Sequence, residues 1–441
     1  MSHRLVILGA GESGVGAALL AKQKDYDVFV SDGGSIKEKY KQELFENEIE
    51  FEEGKHSSEK ILNADEVMKS PGIPEKNEMV KAIRAKGIPV ISEIEFGYRY
   101  KGNSKIAAIT GSNGKTSTKE LVNAVLSQKY HTLCTIGNLN NHIGVPLTLL
   151  RLNASHEMAI IEMGANKPGD IAELCAIAEP THGIITNIGK AHLEGFKTFE
   201  GVLQTKTELY RSIEEKSGVL FACMDDEILM SACKSHPLPL VTYGRTEDAL
   251  IVGELSHLDP FVHFSWHNHA YRSPILHTHL VGKYNFNNFL AAIAFGNIFD
   301  VPVEQINEAI EGYIPQNNRS QVTKTANNTL IIDCYNANPS SMKSALESFN
   351  EIKGMEKFAI LGDMLELGDE SLTEHQTILD YCQQNNIPFF TVGPVFKALH
   401  PNGFENHEEF RENAVNLNLI DQLILLKGSR GIALEKLIDL F

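Results

Sequence analysis

A three-domain α/β protein built on parallel sheets is predicted by three observations. The chain has 441 residues, and at about 150 residues to a domain that length suggests three cores. Hydrophobic residues make up 42% and charged residues 22%, the composition of a globular chain rather than a disordered or fibrous one. Apolar runs, glycine-containing turns and amphipathic stretches recur in that order along the sequence, the rhythm of strand, turn and crossover helix.

The first block, residues 1–102, opens with the strand Leu5-Val-Ile-Leu8, turns through Gly9-Ala-Gly-Glu-Ser-Gly14 and enters an Ala/Leu-rich helix. Further strands are expected at Asp27–Ser31, Glu66–Lys69 and Ile88–Ile91, and the polar stretch Tyr98–Ser104 reads as a linker. Gly9-x-Gly11-x-x-Gly14, with Asp32 at the end of the second strand, fits a Rossmann-like dinucleotide fingerprint. A nicotinamide-dependent oxidoreductase is one reading. A second nucleotide loop downstream, with no hydride-transfer constellation, favours another diphosphate-bearing ligand such as a UDP-sugar. The candidate contacts are Gly11, Glu12, Ser13, Gly14 and Asp32, with Ser70, Pro71 and Gly72 in a second loop of backbone donors.

The second block, residues 103–314, carries the strongest local signal, Thr110-Gly-Ser-Asn-Gly-Lys-Thr116 between the strand Lys105–Ile109 and a helix expected near Ser117. Glycines let backbone N–H groups wrap a polyphosphate, and the helix N-terminus adds partial positive charge. Lys115 can reach the terminal phosphates and the Thr116 hydroxyl can hold Mg²⁺. Gly111, Ser112, Asn113, Gly114 and Ser117 complete this P-loop-like cradle, although Ile109 stands where the usual spacing has its first glycine. Glu162 lies at the C-terminal end of one strand and His192 just past another, where α/β sheets place ligands. Lys206, in Gln204-Thr-Lys-Thr-Glu-Leu-Tyr210, reads from its neighbours as a solvated lysine on a helix surface. Residues 240–280 lose the helical period and read as strands and turns.

The third block, residues 315–441, places strands at Leu330–Asp333, Phe358–Leu361, Pro388–Val392 and Leu423–Leu426. Arg319 and Asp333 would suit phosphate and ribose contacts from a second domain that closes over the nucleotide. Asn336 and Asn338 lie in a Tyr-Asn-Ala-Asn-Pro run. Lys427-Gly-Ser429-Arg430 is an anion-binding turn suited to a carboxylate.

The formal charge, 40 − 57 = −17, disfavours nucleic-acid or anionic-membrane binding. No apolar stretch approaches the roughly 18 residues that cross a bilayer, so no membrane insertion is expected. The start Met1-Ser-His-Arg leads into an apolar run too short for a signal peptide. A cytoplasmic location is expected, and six scattered cysteines without CxxC pairs fit reduced thiols.

With these residues assembled, the chain resembles the Mur ligase family, the ATP-dependent amide-forming enzymes of peptidoglycan precursor synthesis. Residues 1 to about 100 are similar to its D-glutamate-adding (MurD) branch through GAGESG, KSPGIP and VISEIEF. From about residue 105 the similarity is to its D-alanyl-D-alanine-adding (MurF) branch through ITGSNGKT, GNLNNHIGVPLTLL, IEMGAN, TNIGKAHLEGF, YNANPSSM, LGDMLELG and KGSRG. That mosaic points to a domain hybrid, natural or engineered, with exchange at the polar junction favoured.

The resemblance implies roles for these residues. Lys115, His192, Lys206 and Arg319 would be catalytic, and Thr116, Glu162, His192 and Lys206 would hold Mg²⁺, Lys206 as a carbamate. Asn285 and Asn288 would face adenine, with Arg319 and Asp333 completing the ATP site. Asn138 and His142 would face the acceptor. The implied reaction joins D-Ala-D-Ala to a UDP-MurNAc-peptide through an acyl phosphate, in a monomer. D-glutamate addition to UDP-MurNAc-L-Ala, or a folded hybrid that only binds its ligands, are the alternatives.

Overall fold

Leu5–Leu8, Ile106–Ile109 and Leu423–Leu426 are almost wholly buried, and a continuous apolar run of this kind forms a strand that helices cover on both faces. The computed structural model describes residues 3–441 apart from 71, 100–103, 190–192, 317 and 414–418. Pro71 and His192 therefore lie outside the described residues. The strands form three sheets, giving the mixed α/β architecture expected.

The first sheet contains β1 (Arg4–Leu8), β2 (Asp27–Asp32), β3 (Glu50–Glu53), β4 (Glu66–Lys69) and β5 (Val90–Ile91) in the order β3-β2-β1-β4-β5. All its pairings are parallel. Strand order reverses between β1 and β4, the switch point at which doubly wound sheets bind ligands. The second sheet contains β6 (Lys105–Thr110), β7 (Thr132–Cys134), β8 (Met158–Glu162), β9 (His182–Ile185), β10 (Val219–Cys223), β11 (Leu240–Gly244), β12 (Ile251–Asp259), β13 (Phe261–His267) and β14 (Leu276–Val281). Its order is β14-β13-β12-β11-β10-β9-β6-β8-β7, parallel from β6 through β9, β10 and β11 to β12 and antiparallel across β12, β13 and β14. The third sheet holds β15 (Gln321–Lys324), β16 (Thr329–Asp333), β17 (Glu356–Gly362), β18 (Phe389–Val392) and β19 (Gln422–Lys427) in the order β15-β16-β19-β17-β18, with β15 an antiparallel edge.

The chain divides into two compact units, residues 1–105 with 138–159, and residues 106–137 with 160–441. Within the first unit a segment that follows the phosphate loop in sequence packs against the helix Glu93–Tyr98. A Cβ on Gly97 would lie 2.6 Å from Leu150 Cδ2, so the helix Glu93–Tyr98 sits hard against the end of the helix Gly144–Leu149.

Close approach also governs the first glycine loop. Gly9 has φ +100°, and a Cβ on Gly14 would collide with the Gly9 carbonyl oxygen. The helix Glu12–Gln23 can therefore leave the strand only from a residue without a side chain. Gly14→Ala is expected to destabilise the protein by about 1–3 kcal/mol as an overpacking change. Urea denaturation followed by circular dichroism checks this, and an unchanged midpoint would count against so tight a contact.

Candidate active site

The phosphate loop joins β6 to the helix Lys115–Leu126, which starts two residues before the expected Ser117. Gly114 caps it in the left-handed region at φ +76°, and Gly111 has φ +144°. A Cβ on Gly111 would collide with the Thr186 hydroxyl, so glycine is required at both positions. The end of β9 templates the loop. Ser112 N donates to Asn187 O at 3.0 Å, Asn113 N to Asn187 Oδ1 at 3.0 Å, and the Thr186 hydroxyl to Asn113 O at 2.5 Å. Its shape is thus set by three protein contacts before any ligand arrives, the preorganisation that a phosphate cradle needs.

Two lysines and an acid meet beneath this loop. Lys115 Nζ folds back on the Gly111 and Ser112 carbonyls at 2.7 and 3.2 Å. Burial depresses its pKa to about 8, with Arg319 adding repulsion and Glu162 opposing. Glu162 is 1% exposed and accepts from the Thr116 hydroxyl at 2.9 Å. Lys206, at the end of the helix Phe199–Lys206, is 2% exposed, which corrects the reading of it as a solvated surface side chain. Burial first, then the nearby Lys115 ammonium, push its pKa well below the ordinary lysine value, against the pull of Asp170, Glu208 and Glu162. The local sequence hid this, because Gln204, Thr205 and Thr207 are as polar as a surface helix. Among the described residues no group of three or more His, Cys, Asp or Glu side chains could hold a metal ion. Thr116 and Glu162 are hard oxygen donors of the kind magnesium takes.

The other wall is a chain of buried amides and hydroxyls. The Thr118 hydroxyl donates to Asn288 Oδ1 at 3.0 Å, Asn288 Nδ2 donates to Asn285 Oδ1 at 2.8 Å, and Asn285 Nδ2 reaches Val281 O and Ser320 Oγ. Ser320 N donates to Asp333 Oδ1 at 3.2 Å, and Lys427 Nζ pairs with Asp333 Oδ2 at 2.7 Å. Asn285, Asn288 and Asp333, separated widely in sequence, therefore form one network. Lys427 serves as the counter-charge of Asp333. Asn338 caps the helix Pro339–Glu351 through its Oδ1, while its Nδ2 donates to Asn113 Oδ1 at 2.7 Å, tying the third sheet to the phosphate loop. Ser429 is buried and donates to Ala337 O, whereas Asn336 stands exposed. Arg319 stacks on the Tyr335 ring at 3.9 Å, and Arg430 lies 5.3 Å from the same ring. The importance of Tyr335 was not anticipated from sequence, where it is one more residue in a turn.

In the first unit, Asp32 uses both oxygens on its own backbone. Oδ2 accepts from Ala10 N at 2.7 Å and Oδ1 from Gly34 N at 2.8 Å. It braces the glycine loop. Ser13 donates to the buried Glu93 at 3.0 Å, and Ser70 N donates to Leu8 O at 3.0 Å, joining the two loops at the switch point. Gly11 caps the following helix, and Glu12 and Gly72 are exposed. Asn138 and His142 stand exposed in the loop before the helix Gly144–Leu149.

Comparison with known proteins places the chain in a family. The UDP-N-acetylmuramoyl-tripeptide–D-alanyl-D-alanine ligase of Bacillus subtilis is 33% identical over 368 residues, covering 80% of this chain and 79% of that protein. The chain belongs to the Mur ligase family. Sequence profiles for the MurD N-terminal domain, the Mur ligase middle domain and the Mur ligase glutamate ligase domain match residues 4–79, 109–296 and 318–430 of this Mur ligase. The UDP-N-acetylmuramoylalanine–D-glutamate ligase of Christiangramia forsetii is 30% identical over 387 residues, 84% of this chain and 83% of that protein. Similarity to that branch therefore extends well past the first hundred residues. Among solved structures, MurF from Acinetobacter baumannii aligns with a TM-score of 0.73 at 27% identity, covering 86% of this chain and 91% of that one.

Proposed function

We propose that this Mur ligase is an ATP-dependent amide ligase of peptidoglycan precursor synthesis that joins D-Ala-D-Ala to a UDP-MurNAc-peptide. The observation that carries the reading is the grouping of Lys115, Glu162 and Lys206 under a preformed phosphate loop, in a chain most of whose length is shared with a D-alanyl-D-alanine ligase. Residues 1–102 bind the UDP end of the acceptor, 103–314 bind ATP, and 315–441 bind the incoming dipeptide.

The chemistry follows from charge. A carboxylate is a poor acyl donor, and phosphorylation by ATP gives it a good leaving group. The acceptor carboxylate attacks the γ-phosphate and expels ADP, and the neutral dipeptide amine then attacks the acyl carbonyl, expels phosphate and gives up a proton. The protein must bring anions together, and Lys115 and Arg319 offset that charge as cations in a partly desolvated cradle. Lys206, buried and held toward its neutral form, has the free lone pair that adds to CO₂. The resulting carbamate, with loss of one proton, turns a cation into a carboxylate-like oxygen donor. Thr116, Glu162 and carbamylated Lys206, with His192, would hold Mg²⁺, which when bound neutralises phosphate charge. The Asn338–Asn113 hydrogen bond ties the third sheet to the loop, an arrangement suited to shielding an activated acyl group from water. The enzyme acts as a cytoplasmic monomer.

Acceptor length is decided separately from chemistry. A MurD-type first domain suits UDP-MurNAc-L-Ala, whereas the tripeptide acceptor is longer by two residues, roughly 7 Å when extended. The enzyme is expected to prefer the shorter acceptor with D-Ala-D-Ala. Phosphate release with each of the four pairings of the two acceptors with D-Ala-D-Ala or D-Glu checks this. Strict preference for the tripeptide acceptor rejects the short-stem assignment, and turnover only with D-Glu moves the chain to the other branch. That second reading is favoured by the MurD N-terminal match at residues 4–79.

A further inference from the structure

Arg319 precedes β15 and Arg430 follows β19, so they enter from opposite ends of the third sheet's sequence. Both nevertheless face one aromatic ring, with guanidinium carbons 3.9 and 5.3 Å from the Tyr335 centroid. The chain carries 57 acidic residues, yet among the described residues neither arginine forms an ion pair with a carboxylate. Lys427, a few residues from Arg430, is by contrast neutralised by Asp333 at 2.7 Å.

The choice of partner has a chemical consequence. A carboxylate would orient a guanidinium by occupying its N–H donors and cancelling its charge. A ring face orients it through the aromatic quadrupole and leaves the donor fork and the charge available. Two guanidinium groups drawn to the same place repel each other, and the electron-rich ring offsets part of that repulsion. Tyr335 is half-buried two residues beyond β16, a strand that pairs in parallel with β19, so its backbone leaves the sheet beside the strand that delivers Arg430.

We propose that Tyr335 is a positioning residue that presents Arg319 and Arg430 as a pair of guanidinium groups free of carboxylates. Arg319 meets the terminal phosphate of the nucleotide and Arg430 the carboxylate of the incoming dipeptide. This deepens the ligase reading and rests on it. One ring thereby couples nucleotide anchoring to dipeptide anchoring, and the aromatic face matters rather than the hydroxyl.

The test compares Tyr335→Phe, Tyr335→Leu and Tyr335→Gln in the full chain, the two non-aromatic variants guarding against a fold defect in either. Affinities for ADP and for a non-hydrolysable ATP analogue are measured by calorimetry, alongside kcat and the KM for D-Ala-D-Ala. The non-aromatic variants should weaken the analogue by about three- to tenfold relative to ADP, raise the dipeptide KM by a similar factor, and leave the melting temperature close to that of the parent. Tyr335→Phe should match the parent in all three. An unchanged analogue-to-ADP ratio in both non-aromatic variants overturns the proposal, as does a Tyr335→Phe variant as impaired as Tyr335→Leu. If the parent forms no amide from D-Ala-D-Ala, the ligase reading fails, and the analogue-to-ADP ratio still decides whether Tyr335 orients Arg319.

Discussion

Lys206→Met is expected to abolish nearly all amide formation while leaving the protein as stable as the parent or more so. The side chain is 2% exposed, its charged form is opposed by burial and by Lys115, and its nitrogen lies 5.9 Å from the Phe196 ring. Methionine has similar length, carries no charge to desolvate and makes favourable sulfur–aromatic contacts. A residue kept only for packing would be replaced by methionine at little cost to anything. A residue kept as the precursor of a carbamate should lose turnover by about two to three orders of magnitude on losing its nitrogen, the scale set by removing one electrostatic anchor from a transition state. ADP release and thermal unfolding, measured on the same preparation, separate the two. Carbon NMR after exposure to isotopically labelled bicarbonate should show a carbamate signal in the parent and none in the variant. Full activity in Lys206→Met would remove this lysine from the mechanism.

Lys115→Ala carries the second large effect. Its ammonium already sits on the carbonyls of the loop at 2.7 and 3.2 Å, so a polyphosphate need only exchange those contacts for its own oxygens. Without it, the negative charge of ATP and acceptor is brought together with one fewer counter-charge in a partly buried cradle. The rate of ADP formation at saturating substrates should fall by about two to three orders of magnitude. KM for the acceptor should change far less, because the site proposed for its UDP end lies in residues 1–102, away from Lys115. A variant that keeps a rate within about tenfold of the parent would leave phosphoryl transfer without its principal cation.

Much of this architecture is legible from the residues. Strands buried on both faces, such as Leu5–Leu8 and Leu423–Leu426, announce themselves as apolar runs, and Gly111 and Gly114 mark the loop where a side chain would collide or be strained. Four strands carry no such signal or a weaker one. β3 is Glu-Phe-Glu-Glu at a sheet edge, where Glu50 and Glu53 stay exposed and the buried Glu52 is satisfied by the Ser31 and Ser57 hydroxyls, and β7 has only three residues. β15 is a polar antiparallel edge whose strand character comes from pairing with β16. β10 is apolar but follows the helix Glu208–Glu215 after a short turn, so its run does not stand apart in the sequence.

The site divides in the same way. The phosphate loop, Glu162 and Arg319 are recognisable because their chemistry is local to a strand end. Burial of Lys206 is tertiary, and charges that act on it, such as Lys115, Asp170 and Glu162, come from other segments. Asp32 has the fingerprint position, but its two backbone hydrogen bonds, to residues on either side of a folded loop, cannot be read from spacing. The second task of Asn338 is likewise invisible until Asn113 is brought beside it.

The meeting of Gly97 with Leu150 has a practical bearing on how chains of this kind can be recombined. A crossover drawn at the polar stretch near residue 103 looks harmless on paper, because nothing there is apolar. The incoming piece nonetheless meets the recipient's Leu150 at Gly97, where an added Cβ would lie 2.6 Å from Leu150 Cδ2. A donor with alanine there would oblige that leucine side chain to turn aside. The fit across such a seam therefore includes a contact some fifty residues away in the chain, as well as the letters at the junction.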